Sequence, residues 1–243
     1  MTTQARPAFY ALAPGGWRDY ATLLHPPYTL WHLSYVAIGA TLAPVLHPWR
    51  LGATAAAFFL ALGIGAHALD ELNGRPLRTR IPARTLVGLA LASIAGAVAI
   101  GLVVAVETDL WLLAFVAFGA FIVCAYNLEL FGGLFHNDPW FALAWGSFPV
   151  LTGYFAQAHR IRTEAVLAAA FAAFLSGAQR ALSTQVRTVR RRVRAVSGSL
   201  ELDDGRSEPV TPETLMAAPE TALRALTAAT VALAAALLVL RLA

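Results

Sequence analysis

Residues 67–77 combine residue types that can bind a metal ion beside a phosphate group. His67, Asp70 and Glu71 occupy positions i, i+3 and i+4, so a helix would project all three from one face. Mg²⁺ needs only one or two carboxylates when phosphate oxygens complete its coordination shell. We therefore predict Asp70 and Glu71 as metal ligands, with His67 orienting them or acting as a base. The alternative is a polar helix end that meets water.

A second segment carries four arginines at offsets 0, 3, 4 and 7, which form one stripe on a helix: Arg187, Arg190, Arg191 and Arg194. Guanidinium groups bind phosphate oxygens bidentately and keep their charge. This stripe predicts a diphosphate or an anionic lipid headgroup as ligand. The alternative is an anchor on the anionic membrane surface.

Other polar residues allow weaker predictions. His136 and Asp138 lie in a glycine-containing turn that restarts a helix at Pro139. They could line a site, although capping of the next helix is the more common role of such residues. His32 lies inside an apolar run and is either functional or hydrogen-bonded to a neighbouring helix.

The composition places these residues in a membrane protein. Of 243 residues, 58% are hydrophobic and 13% are charged, and the mean hydropathy is +0.62. Soluble domains carry roughly 25% charged residues, so this chain has too little charge for a surface that faces water. We predict an all-α, polytopic transmembrane bundle that forms one domain over residues 1–243.

Seven apolar segments are long enough to cross the bilayer. The predicted spans are residues 28–46, 51–71, 86–106, 110–127, 139–158, 164–183 and 221–240. Residues 1–27 form an N-terminal segment, and residues 184–220 form an arginine-rich helix and a polar loop. With the N-terminus in the cytoplasm, 14 arginines lie on the inner side and four on the outer side. We therefore expect a multi-pass protein of the cell membrane with a cytoplasmic N-terminus and cytoplasmic main loops.

The absence of certain residue types excludes several chemistries. All 18 basic residues are arginine, which excludes a retinal Schiff base, pyridoxal phosphate chemistry and a Walker-type phosphate loop. Cys124 is the single cysteine, which excludes disulfides within the chain, iron–sulfur clusters and multi-cysteine zinc sites.

Taken in order, these segments resemble the UbiA superfamily of intramembrane prenyltransferases. That family has an aspartate-rich motif after its second helix and then a loop ending in Arg-Pro-Leu. Residues 70–77 resemble this pattern with a shortened loop, and His67 stands where the motif has a leading asparagine. Tyr126 and the Gly-Ser-Phe-Pro at residues 146–149 are similar to features of the fourth and fifth helices. Where the family has a second aspartate-rich motif, residues 183–192 have a serine and arginines.

The resemblance covers roughly residues 20–195 and implies a horseshoe of helices around a lipid-open cavity. Family members usually have nine helices, so seven spans would lack the last pair. In the family, two aspartate clusters hold two Mg²⁺ ions on a prenyl diphosphate, which alkylates an aromatic or other acceptor. Here one cluster is reduced to Asp70 and Glu71, and the other has reversed its charge. The implied Mg²⁺ is therefore at most one ion, and arginines would bind the diphosphate directly.

The resemblance implies an isoprenoid diphosphate-binding protein that acts as a divergent prenyltransferase on a lipophilic or aromatic acceptor. Its expected partners are a prenyl diphosphate and membrane lipids, and no nucleic acid. The residues expected to contact substrate are Asn73, Arg75, Tyr126, Trp145, Tyr154, Arg187, Arg190, Arg191 and Arg194. The alternative is a non-catalytic lipid-binding or scaffold protein that retains the fold. A transporter is less favoured because the spans contain few charges and the halves show no repeat.

Overall fold

The computed structural model describes residues 6–243, and the chain is about 74% helical. Eight helices of more than four residues follow one another in the described residues: α1 Trp17–Leu23, α2 Pro26–Leu42, α3 Pro48–Leu72, α4 Ala83–Glu107, α5 Leu112–Asn127, α6 residues 138–158, α7 Thr163–Arg192 and α8 Pro212–Leu242. A single helical turn, Leu130–Gly133, lies between α5 and α6. A short antiparallel hairpin, β1 Ser199–Glu201 with β2 Ser207–Pro209, interrupts the loop between α7 and α8.

Each of the seven predicted segments overlaps one of the helices α2 to α8, so the all-α bundle is confirmed. By length and composition, α3, α4, α7 and α8 can cross a membrane, and α5 is a shorter apolar helix. Seven crossings remain a prediction. The sequence did not indicate the hairpin, and α7 continues well past the predicted span end at residue 183, to Arg192.

Proline and capping side chains determine where several helices begin. Pro26, Pro48 and Pro212 occupy the first turns of α2, α3 and α8, where a missing N–H costs nothing. Asn137 caps α6, because its side chain accepts a hydrogen bond from the Trp140 backbone N–H at 3.0 Å. This confirms the helix restart predicted at this turn.

Helix α2 is central and packs most extensively against the second half of α6 and against α8. Two glycines allow the α2–α6 approach. A methyl group on Gly39 would collide with the Val150 carbonyl, and one on Gly153 would collide with the Val36 carbonyl. Small residues at such crossings let helix backbones come into contact.

Both α3 and α6 contain a π-helical stretch next to polar residues. In α3 it runs from Phe59 to Ala66 and ends immediately before His67. In α6 it covers Leu143–Ser147 and includes Trp145. Such wide turns are rare and often occur at functional sites. Both stretches lie toward the bundle end where α2 and α6 begin and where α3, α5 and α7 end.

Candidate functional site

A cavity of about 400 Å³ opens at this end of the bundle. We call it the polar cavity. Its wall takes side chains from α2, α3, α5, α6 and α7, from the turns before α2 and α6, and from residues 7–10 near the N-terminus. Its titratable residues are Tyr10, His25, Tyr28, His32, His67, Asp70, Tyr126, His136, Arg180, Arg187, Arg191 and Arg192. The wall therefore has four arginines against one carboxylate among the described residues.

Arg187 and Arg191 line the cavity and keep most of their hydrogen-bond donors free within the described residues. Within the described residues, Arg187 donates only to Thr184 Oγ1, at 3.0 Å. Arg191 donates through Nε to the Pro7 carbonyl at 3.3 Å. Since a guanidinium carries five N–H donors, each of these side chains keeps several for a ligand.

Arg180 also lines the cavity, but its guanidinium is already hydrogen-bonded within the protein. It donates to the Asp138 carboxylate and to the Tyr126 hydroxyl. Its guanidinium lies 4.9 Å from the centre of the Phe141 ring. It therefore braces α5, α6 and α7 against one another and holds Tyr126 at the wall. Asp138 has this bracing role in addition to its place in the first turn of α6.

The structure separates Asp70 from Glu71. Asp70 faces the polar cavity, whereas Glu71 is fully buried behind it. Its carboxylate accepts hydrogen bonds from the Leu77 N–H at 2.9 Å, the Thr79 N–H at 2.8 Å and the Thr79 hydroxyl at 2.9 Å. Adjacent residues on a helix point about 100° apart. The cavity therefore receives only one of these two side chains, and Glu71 holds the loop between α3 and α4.

The two-metal arrangement of the UbiA superfamily does not fit these side chains. It requires carboxylates on both sides of a diphosphate, but α3 supplies Asp70 alone and α7 supplies arginines. In residues 6–243, no three His, Cys, Asp or Glu side chains converge as a metal-binding group. The predicted Mg²⁺ site at Asp70 and Glu71 would lack Glu71.

Three histidines at the cavity have a defined tautomer. Their Nδ1 atoms lie near backbone carbonyl oxygens: His32 at 2.5 Å from Tyr28 O, His67 at 3.1 Å from Gly63 O and His136 at 3.0 Å from Tyr126 O. A carbonyl oxygen only accepts, so each Nδ1 carries the proton. In the neutral ring Nε2 then keeps a lone pair and can accept a proton or a hydrogen bond.

His25 belongs to the same wall, although the sequence did not indicate it. Its ring stacks on that of His67, and its Nε2 is buried without a hydrogen-bond partner in the described residues. Burial, and next the neighbouring His67, lowers the pKa of His25 well below its usual value. The one local signal is the Pro-Pro pair that follows it, which marks a helix start rather than a site.

Residues 7–10 form a strap over the cavity, also without a signal in the sequence. The Tyr10 ring lies 5.3 Å from that of His25 and 6.0 Å from that of Tyr28. Burial raises the pKa of the Tyr10 hydroxyl well above its usual value. The Arg224 guanidinium lies 4.9 Å from the Phe9 ring centre and ties the strap to α8.

Five predicted contact residues lie away from the polar cavity. Asn73 donates to the Asn127 carbonyl at 3.3 Å, and Arg75 donates to the Ile81 carbonyl at 2.6 Å. Arg190 is paired with Glu220 on α8 at 2.5 Å. Arg194 follows the end of α7 and is exposed. Tyr154 is buried near the opposite end of the bundle, where its hydroxyl donates to Glu164 at 2.5 Å.

A narrow apolar crevice adjoins the polar cavity between α3, α4, α5 and α6. Trp145 contributes to both walls. Beyond it the crevice is lined mainly by aliphatic side chains and by Phe58, Phe115 and Phe148. Trp145, one of the residues predicted to contact substrate, thus lies at the junction of the two.

The geometry of the polar cavity and the apolar crevice is the basis for any function, since no protein-family model, no curated protein and no solved structure matches the chain.

Proposed function

We propose that this is a UbiA-like integral membrane protein that binds an isoprenoid diphosphate and transfers its prenyl group to a lipophilic or aromatic acceptor. The observation that carries the proposal is the junction at Trp145, where an arginine-lined cavity meets an apolar crevice. A ligand that fits both must have an anionic head and a hydrocarbon tail.

The arginines on the wall of the polar cavity can stabilise the diphosphate as it leaves. When the carbon–oxygen bond to diphosphate breaks, the diphosphate leaves with the electron pair, and its charge grows in the transition state. Fixed cations aimed at that charge stabilise the transition state. Arg187 and Arg191 have free donors at the cavity wall for this purpose.

His67 can assist the second half of the reaction, in which the prenyl group is attached to the acceptor. The prenyl carbon forms a bond with the acceptor, which then loses a proton. His67 lines the cavity, and its Nε2 lone pair can take that proton because Nδ1 already carries a hydrogen. His67 therefore keeps the base role predicted for it.

The arginine distribution supports a cytoplasmic location for the polar cavity. The arginines after α3 and in the last turns of α7 are among the 14 on the predicted inner side, against four on the other. We propose seven crossings with the N-terminus inside.

A non-catalytic lipid-binding protein is the second candidate. The observation that favours it is the single carboxylate, Asp70, that the described residues bring to the polar cavity. This candidate predicts binding of the same ligands without release of diphosphate.

The first test compares the thermal stability of detergent-purified protein with geranylgeranyl diphosphate and with inorganic diphosphate. A ligand at 100 times its dissociation constant adds about 2.7 kcal/mol of stability. We expect a larger shift for the prenylated ligand, because the tail occupies the apolar crevice. Equal shifts would contradict a tail site, and the absence of any shift would overturn the proposal.

A matched pair of variants locates the tail. Ala57 lines the apolar crevice, whereas its neighbour Ala56 is exposed on the outside of α3. Ala57→Phe should remove the additional shift given by the geranylgeranyl chain and leave the shift with inorganic diphosphate unchanged. Ala56→Phe should change neither. Release of inorganic diphosphate in the presence of an acceptor then separates the transferase from the lipid-binding protein.

A further inference from the structure

We infer that the polar cavity binds the diphosphate group directly through Arg187 and Arg191, without a divalent cation. The inference rests on the proposed function, because it concerns the headgroup of the same ligand. It departs from the two-metal site of the UbiA superfamily and also from the single Mg²⁺ ion predicted at Asp70 and Glu71.

The charged donors with free N–H groups lie on one part of the cavity wall, at α7. Arg187 and Arg191 there present guanidinium N–H groups, of which the described residues use one on each side chain. On α2 and α3, Asp70 and the Nε2 atoms of His32 and His67 can only accept while these histidines are neutral. A phosphate group, which accepts only, therefore binds most favourably against α7.

The other carboxylates near this end of the bundle are paired within the protein and cannot bridge a metal ion. Both oxygens of Glu71 are hydrogen-bonded inside the loop after α3. Asp138 is paired with Arg180. Asp70 alone faces the polar cavity, and a single carboxylate cannot place one ion on each side of a diphosphate.

The charges on the cavity wall favour the same arrangement. Asp70 is the one carboxylate that the described residues place there, and Arg187 and Arg191 line the same cavity. In the empty cavity Asp70 partly offsets these arginines. When a diphosphate binds, Asp70 becomes a like charge facing the ligand and weakens binding.

Asp70→Asn should have opposite effects on diphosphate binding in the two arrangements. If Asp70 held a metal ion on the diphosphate, the variant would lose binding. If the arginines bind the diphosphate directly, the variant removes a repulsive charge and tightens binding several-fold. The substitution keeps the size of the side chain, so the sign of the effect is informative.

The experiment measures the Kd of full-length, detergent-purified protein for inorganic diphosphate and farnesyl diphosphate, in EDTA and in Mg²⁺. We expect the same Kd in both buffers within a factor of about three. Arg187→Gln and Arg191→Gln should each weaken binding about tenfold or more, since a lost charge-assisted pair corresponds to at least that factor. Arg194→Gln is the control, because Arg194 is exposed beyond the end of α7 and should leave the Kd unchanged.

Binding that requires Mg²⁺ and disappears in Asp70→Asn would overturn the inference and leave the proposed function intact. Tight binding in EDTA that is unaffected by either arginine substitution would also overturn it. If neither diphosphate binds in either buffer, the proposed function fails and the inference fails with it.

Discussion

The imidazole rings of His25 and His67 stack face to face, with 4.1 Å between their centres and 16° between their planes. His25 lies in the turn before α2, and His67 lies on α3 directly after its π-helical stretch. The stack thus brings the start of α2 into contact with the last turns of α3 at the wall of the polar cavity. Two charged imidazolium rings at this distance would repel each other strongly, so the contact favours neutral rings.

The stack predicts that the protein loses stability in mild acid. Burial holds the pKa of His25 well below its usual value of 6.5. Below about pH 6.5 the unfolded chain takes up a proton that folded His25 does not, so the free energy of unfolding falls as the pH decreases. One such group accounts for at most about 1.4 kcal/mol per pH unit. The measurement is the apparent melting temperature between pH 8 and pH 5.

His25→Asn should flatten this pH dependence. Asparagine tolerates the left-handed backbone found at residue 25, where φ is 44°, so the turn is kept while the titrating ring is lost. If the variant and the parent lose stability equally between pH 7 and pH 5, His25 is not the group responsible.

Glu71→Gln should destabilise the protein without touching the polar cavity. The carboxylate accepts three hydrogen bonds from Leu77 and Thr79, and an amide would direct N–H groups at some of these donors. We expect a loss of about 2–3 kcal/mol, because buried donors would be left unpaired. Denaturant unfolding of purified protein measures it. Asp70→Asn is the matched control and should have little effect on stability, and equal losses in the two variants would contradict the structural role of Glu71.

Gly39→Ala should disrupt the contact between α2 and α6. The added methyl group would meet the Val150 backbone carbonyl, which cannot move without shifting the helix. Overpacking of this kind costs about 1–3 kcal/mol. Gly177→Ala is the control, since a methyl group there meets nothing within 4 Å and replaces a poor helix former. Unfolding temperatures that fall equally for both variants would show that the tight crossing is not the cause.

The sequence predicted the helices because long apolar runs and proline breaks are local signals. The helix restart at Asn137 was predictable in the same way, because the turn ends at a proline. The candidate site was only partly predictable. The spacing of Asp70 and Glu71 places both on one helix, but only the folded loop at Thr79 decides which of them it buries.

Two parts of the polar cavity had no sequence signal. His25 reaches the cavity through a left-handed turn, and Tyr10 through a strap that runs back over the bundle. Contacts between residues far apart in the chain are not encoded by periodicity. The same limit explains why the spacing did not predict the partner of Arg190. Arg190 has the same helical spacing as Arg187 and Arg191, but its side chain pairs with Glu220 on α8.

Seven crossings predict that the loop between α7 and α8 and the turn between α6 and α7 lie on opposite sides of the membrane. Cys124 is the single cysteine, so Cys124→Ser gives a cysteine-free background. A cysteine at exposed Ser199 in the hairpin should react with an impermeant maleimide only after the membrane is opened. A cysteine at exposed Arg160 should react in intact cells. Reaction of both in intact cells, or of neither, would mean that α7 does not cross, and the reverse pattern would place the polar cavity outside the cytoplasm.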